Sequence, residues 1–184
     1  MKHKLALSLL FLALAPTALA STRWYVDGVH GSDNNNCKSP QTACKTIGHA
    51  ISLASSGDSI KVAPAVYKEN LTINISLNIV GSGAATTIID GGAVNTVVTI
   101  SSGTVSVSKL TIRNGNAKNG GGINNSGILT VNSSVLSGNR ASLANCHKAP
   151  CAAEGGGIDN TGTLTVNNSV LKLNKATEFG APLG

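Results

Sequence analysis

Charge and aromatic rings are scarce in this sequence. Charged residues make up 12% of its 184 positions and aromatics 3%, where ordinary soluble domains carry about 25% charged residues. That is an odd composition for a globular enzyme. Lysine and arginine are scattered, and no basic run is interleaved with aromatics, so nucleic acid is not an expected partner. With only five prolines and no Gly-X-Y period, a collagen-like chain is excluded. Disorder is excluded by the 41% of hydrophobic residues, which recur in short β-branched runs. Beyond residue 20 no stretch is long and apolar enough to span a bilayer. The mature chain is therefore expected to be soluble, with no stable transmembrane segment.

The start of the chain reads as a signal peptide, residues 1–20. Lys2, His3 and Lys4 precede an apolar run from Leu5 to Ala15, and Ala18-Leu19-Ala20 forms a small-x-small cleavage site before Ser21. A retained anchor would need about twenty apolar residues, and Pro16 interrupts this run. Export is the expectation, to a secreted, cell-surface or outer-membrane-associated location. Cleavage removes Lys2 and Lys4, leaving 12 Lys/Arg against 8 Asp/Glu, a net charge of +4. Such a charge allows a weak, unspecific attraction to acidic glycans or an anionic envelope.

Four cysteines fall into two local pairs, Cys37 with Cys44 and Cys146 with Cys151. In an exported chain they read as two disulfides closing short loops, with other pairings left open by sequence. The rival reading, a zinc site, wants tighter Cys spacing or clustered histidines. Here the intervals are Cys-x₆-Cys and Cys-x₄-Cys, with His147 beside Cys146. No metal or cofactor is expected.

Only one segment has a helical period. Ile47, Ala50, Ile51 and Ala54 form an apolar face within residues 45–56, ended by Gly57-Asp58. The remainder reads as short strands alternating apolar residues with Ser, Thr and Asn. Residues 120–139, beginning Gly-Gly-Gly-Ile-Asn-Asn, return as residues 155–174, beginning Gly-Gly-Gly-Ile-Asp-Asn, with a looser copy at 103–115. Gly103, Gly127 and Gly162 mark steps of 24 and 35 residues, and the eleven extra residues fall around Cys146 and Cys151. Such a period marks a stacked solenoid, and the absence of helix pattern makes it a β one.

Three inward columns follow from the alignment: Val105, Leu129 and Leu164; Val107, Val131 and Val166; Ile112, Leu136 and Leu171. Thr130, Thr165, Asn132 and Asn167 would face outward. The glycine triplets and Asn-Asn pairs would turn the chain between sheets. The predicted fold is all-β, a right-handed parallel β-helix with a short N-terminal capping helix. Its expected divisions are an N-terminal cap at 21–58, coils at 59–175, and an unstructured or truncated tail at 176–184. The last coil has no evident cap, so a second subunit could cover it.

The opening block resembles that of bacterial right-handed parallel β-helix proteins of the pectin-lyase-like superfamily. It comprises Tyr25-Val-Asp-Gly, Gly31-Ser-Asp, Cys37, Cys44-Lys-Thr-Ile-Gly-His-Ala-Ile, Gly57-Asp-Ser-Ile-Lys-Val-Ala-Pro and Tyr67-Lys-Glu-Asn-Leu-Thr-Ile. Leu110-Thr-Ile-Arg-Asn-Gly, Gly-Gly-Gly-Ile-x-Asn and Leu-Thr-Val-Asn resemble repeats of the polymorphic outer-membrane-protein and adhesin-like branch. The resemblance runs from Trp24 to Lys175. It implies a longer, surface-displayed parent and a chain cut short. Ala65 stands where such relatives carry Gly, which implies some backbone strain.

Superfamily enzymes gather carboxylates on one groove, to hold Ca²⁺ or to pair an acid with a base. No two of Asp27, Asp33, Asp58, Glu69, Asp90, Glu154, Asp159 and Glu178 lie within two residues of each other. A catalytic cluster would need Asp90, Arg113, Lys118 and Asp159 on one side, and no spacing demands it. Turn residues and solvated charges are the simpler reading. Stacked Asn124 and Asp159 would contribute one charge, too few for calcium.

No Gly-x-Ser-x-Gly elbow occurs, and His30, His49 and His147 lack a matched acid. The glycine triplets lack the Lys-Ser/Thr of a phosphate loop. Asn74-Ile-Ser76 and Asn132-Ser-Ser134 fit a glycosylation sequon that an Asn- and Ser-rich chain meets by chance. The sequence thus points to a non-catalytic, adhesin-like or carbohydrate-binding scaffold, its partner a polysaccharide or a host or cell-surface glycan. A polysaccharide lyase or glycoside hydrolase is one alternative. A structural repeat segment of a longer surface protein is another.

Overall fold

A computed structural model describes residues 21–142 and 152–177. The leader, the Cys146–Cys151 pairing, His147 and residues 178–184 lie outside the described residues.

Strand β1 (Arg23–Val26) is followed by helix α1 (Ile47–Leu53) and five coils. The first coil contains β2 (Asp58–Val62), β3 (Ala65–Lys68) and β4 (Leu71–Ile73). The second holds β5 (Leu77–Gly81), β6 (Thr87–Asp90) and β7 (Val98–Ile100). The third adds a short extra strand: β8 (Thr104–Ser108), β9 (Thr111–Arg113), β10 (Asn116–Ala117) and β11 (Ile123–Asn125). The fourth repeats that plan with β12 (Ile128–Asn132), β13 (Val135–Ser137), β14 (Arg140–Ser142) and β15 (Ile158–Asn160). The last has β16 (Thr163–Asn167), β17 (Val170–Lys172) and β18 (Lys175–Thr177).

Like strands stack in parallel, so four sheets run along the axis. Sheet I is β1-β2-β5-β8-β12-β16 and sheet II is β3-β6-β9-β13-β17. Sheet III is β4-β7-β11-β15, and the narrow sheet IV is β10-β14-β18. The chain is a right-handed parallel β-helix. Two boundaries differ from those read in sequence. Strand β1, inside the expected cap segment, already belongs to sheet I, pairing Trp24 with Ile60. At the other end, Lys175–Thr177 is strand rather than tail, because Ala176 stacks on Ala141.

Alternation explains the core. In sheet I the column of Val107, Val131 and Val166 extends back to Ile79, Ile60 and Trp24. Sheet II stacks Tyr67, Ile89, Ile112, Leu136 and Leu171. The inner members are almost wholly buried, and burying such a side chain stabilises by about 1.5–3 kcal/mol. In the last coil Val166, Val170 and Leu171 are 39–51% exposed, since no described coil covers them.

In the last three coils the corner between sheets I and II is two residues long, and its first residue is left-handed: Lys109, Ser133 and Asn168 have φ of 57°, 48° and 47°. Ala65, by contrast, lies in strand β3 and is not among the left-handed residues. The strain implied for it does not arise, because an extended strand position accepts any side chain.

Each glycine of the Gly120-Gly121-Gly122 triplet has its own reason. Gly120 is left-handed, with φ of +64°. A Cβ on Gly121 would fall onto the Arg140 backbone, and one on Gly122 would meet Gly157 and the Asn139 amide. Gly155, Gly156 and Gly157 repeat the pattern, with Lys175 and Asn174 as the neighbours of the last two.

The N-terminal helix is shorter than its sequence period, ending at Leu53 with Ala54 as cap. Thr46 caps its start, accepting from the His49 N–H, and Ile47 and Ala50 are fully buried against the first coils. The Cys37–Cys44 disulfide is formed, with a Cα separation of 5.0 Å, and both cysteines are fully buried. The His49 ring lies within 4.8 Å of both sulfurs, a neighbour that the zinc reading did not foresee. The disulfide leaves neither sulfur as a thiolate ligand.

Two acids, buried Asp58 and half-buried Glu69, tie this cap to the coils. Asp58 occupies an inward position, level with Leu77, and accepts from Thr22 N (2.6 Å), Trp24 Nε1 (2.9 Å) and Ser55 N (2.9 Å). Burial alone would raise its pKa. The Ser55, Trp24 and Thr22 donors, with the Lys38 charge, outweigh burial and hold it below the ordinary 3.8. Glu69 accepts from Ile47 N and Gly48 N at 2.9 and 2.8 Å, but burial outweighs those bonds and raises its pKa. The signs are opposite. A lowered carboxylate stabilises the fold above its unfolded pKa, and that contribution fades as pH falls through the folded value. The contribution of Glu69 is present at low pH and lost as pH rises through its raised value. Asp58→Asn should therefore lower the urea midpoint at pH 6 and do so less at pH 3. A gap that stays constant or widens at pH 3 would refute the assignment.

Candidate functional site

The four residues singled out as a catalytic cluster do not come together. Asp90 and Arg113 are neighbours on sheet II, where Arg113 Nε donates to Asp90 Oδ2 at 2.8 Å. Asn114 Nδ2 donates to the same oxygen at 2.9 Å, and Gly92 N donates to Oδ1 at 3.0 Å. Asp90 is 7% exposed, so reading it as a solvated turn charge needs correction. It does hold the turn before Gly92, but its other oxygen is spent on Arg113 and Asn114. Burial raises its pKa, and the Gly92, Arg113 and Asn114 bonds outweigh that and lower it. Every described contact of this pair is structural.

Lys118 and Asp159 lie elsewhere, on an open groove of about 540 Å³ over sheet III. Its floor is the outward row of that sheet. Thr72, Thr99, Asn124 and Asp159 stack in successive coils, with the last three lining the groove. One wall is the end of β10 and the chain after it, Ala117-Lys118-Asn119, and the corners supply Asn95, Ser126 and Thr161.

The walls are fixed by hydrogen bonds within the coil stack. Thr96 Oγ1 donates to Asn119 O at 3.2 Å, and Asn70 Nδ2 donates to Thr96 O at 2.9 Å. Asn119 bridges in parallel to Glu154, whose carbonyl accepts from Gly120 N. Thr161 Oγ1 lies 3.2 Å from Ser126 Oγ across two coils. The floor is different: among the described residues the Thr99 hydroxyl, the Asn124 amide and the Asp159 carboxylate make no side-chain hydrogen bond. Half-buried, they present donors and acceptors at the spacing of stacked strands, about 4.8 Å.

Among the described residues Asp159 is the one carboxylate in the lining. A two-carboxylate hydrolytic mechanism needs a partner about 5–9.5 Å away, and the lining supplies Lys118 as its one other charged group. The stacking of Asn124 and Asp159 was readable from the repeat. Thr99 and Asn95 were not, because coil two is not a copy of the Gly-Gly-Gly repeat, and Asn119 was not, because only the extra strand β10 carries it to the groove.

A search of curated proteins finds no match. Among solved structures, a pectin methylesterase mutant in complex with a hexasaccharide is similar at 16% identity and a TM-score of 0.44, over 84% of this chain and 67% of that one. Residues 29–178 match the family described as a protein of unknown function, DUF1565. The chain belongs to the DUF1565 family.

Proposed function

We propose that this protein is an exported, non-catalytic β-helix that binds carbohydrate through the sheet III groove, at or beyond the cell surface. The observation that carries the reading is the floor of that groove. Thr99, Asn124 and Asp159 present hydroxyl, amide and carboxylate groups, without side-chain hydrogen bonds among the described residues, along an open channel parallel to the solenoid axis. Sugars present rings of hydroxyls that both donate and accept, and amides and carboxylates match them in pairs. A rigid row loses little conformational freedom on binding. An adhesin-like role, with the groove engaging a host or cell-surface glycan, fits the same chemistry.

Titration of the mature protein with a panel of soluble oligosaccharides, followed by amide chemical shifts, tests this. A ligand should shift Thr99, Asn124 and Thr161, and Asn124→Ala combined with Asp159→Ala should weaken it by about tenfold or more. No response to any sugar at millimolar concentration would overturn the reading. Release of shortened or unsaturated products would replace it with the lyase or hydrolase alternative.

A further inference from the structure

A second concavity, of about 440 Å³, sits where sheet I turns toward sheet II, on a different face from the groove above. Its floor is sheet I itself, ending at Val62 and Gly81, and Pro40 of the disulfide loop forms a wall. Tyr25 points outward between buried Trp24 and Val26, and Lys61 is its direct partner on the next strand. Lys109 closes the far side. One tyrosine, the apolar residues Val26, Val62 and Val80, and two lysines thus line one hollow.

Lys109 holds a left-handed backbone, φ +57°, where the coils above place Ser133 and Asn168. Asparagine eases that conformation by local hydrogen bonding and lysine does not. A strained residue kept in a lined hollow is a functional pointer. Neither lysine joins an ion pair among the described residues. The acid in the lining, Asp27, is occupied by its own turn, accepting from Val29 N and His30 N, with the His30 ring 3.3 Å away. The lining therefore carries two lysines and one engaged acid.

We infer that this corner is a subsite for an anionic sugar unit, a uronate or a sulfated sugar. The Tyr25 ring stacks on the sugar face, and Lys61 and Lys109 take the charged group. An aromatic platform suits the apolar face of a pyranose, and ammonium groups form charge-assisted bonds to carboxylate or sulfate.

The test is titration with an oligogalacturonate, a chondroitin sulfate oligosaccharide and a neutral gluco-oligosaccharide, followed by calorimetry and amide shifts. An anionic probe should bind, shift Tyr25, Lys61 and Lys109, and weaken as salt rises. The first two probes distinguish carboxylate from sulfate. Lys61→Gln with Lys109→Asn should weaken binding about tenfold, while Lys172→Gln, on sheet II of the last coil, should leave it unchanged. Asparagine suits the left-handed corner, so the double variant should keep the wild-type thermal midpoint. Equal binding of the neutral sugar, an unaltered double variant, or no binding of either anion would overturn the inference. Failure of the sheet III reading registers at Thr99 and Asn124 instead, so the two are separable.

Discussion

Gly121→Ala is expected to cost about 4 kcal/mol or more, placing it among the rare severe single substitutions. Gly121 lies where the chain passes from β10 into sheet III. Its N–H donates to Gly155 O at 3.1 Å and its carbonyl accepts from Val97 N at 3.2 Å. The backbone is therefore held from the coil on each side. The added Cβ would meet the N, C and O atoms of Arg140, which begins strand β14 and is itself in the ladder. No flexible side chain is available to give way. Gly138→Ala should be milder, about 1–2 kcal/mol, because an added Cβ there has room and the penalty is chiefly a left-handed φ of +63°. Equilibrium urea denaturation of both variants measures the difference. A Gly121→Ala protein within about 1 kcal/mol of wild type would mean that the coils can spread at this corner, contrary to the packing described.

The second large effect is expected at Asn139. It is 1% exposed, and its side chain closes a corner between coils. Oδ1 accepts from Gly115 N at 2.9 Å, and Nδ2 donates to Ile112 O at 3.1 Å and to Asn174 Oδ1 at 3.0 Å. Asn139→Leu keeps the volume and removes all three bonds. It strands a buried N–H and a buried carbonyl, each costing about 1–3 kcal/mol, so a loss of about 3 kcal/mol is expected. The denaturation midpoint should fall accordingly, and the Gly115 amide should exchange faster. Asn174→Leu should cost less, because Asn174 is partly open to water and its Nδ2 serves one carbonyl, that of Leu136. Equal losses at the two positions would show that the ladder is not graded by burial.

The repeat made the columns legible. Val107, Val131 and Val166 share one register because the period carries them, and so do Ile112, Leu136 and Leu171. Asp58 was not legible as a core residue, since two of its three donors, Thr22 and Trp24, lie 36 and 34 residues away in sequence. The same holds for Glu69, which reaches back to helix α1. Asp90 and Arg113 looked available for chemistry because sequence shows two charges and not the hydrogen bonds that occupy them. The sheet III groove escaped for a related reason. Its floor row follows from strand alternation, but its walls are corners, and corner lengths vary from coil to coil.

That variation has a consequence. Ile128 pairs with Thr104 twenty-four residues earlier and with Thr163 thirty-five residues later, yet neither interval disturbs the stacking. The longer interval falls between β14 and β15, a connection whose described end, Glu154, bridges to Asn119 at the groove. A lineage carrying this scaffold can therefore lengthen or trim that connection while the interior stays untouched. Selectivity for new ligands and robustness of the framework become separately heritable traits.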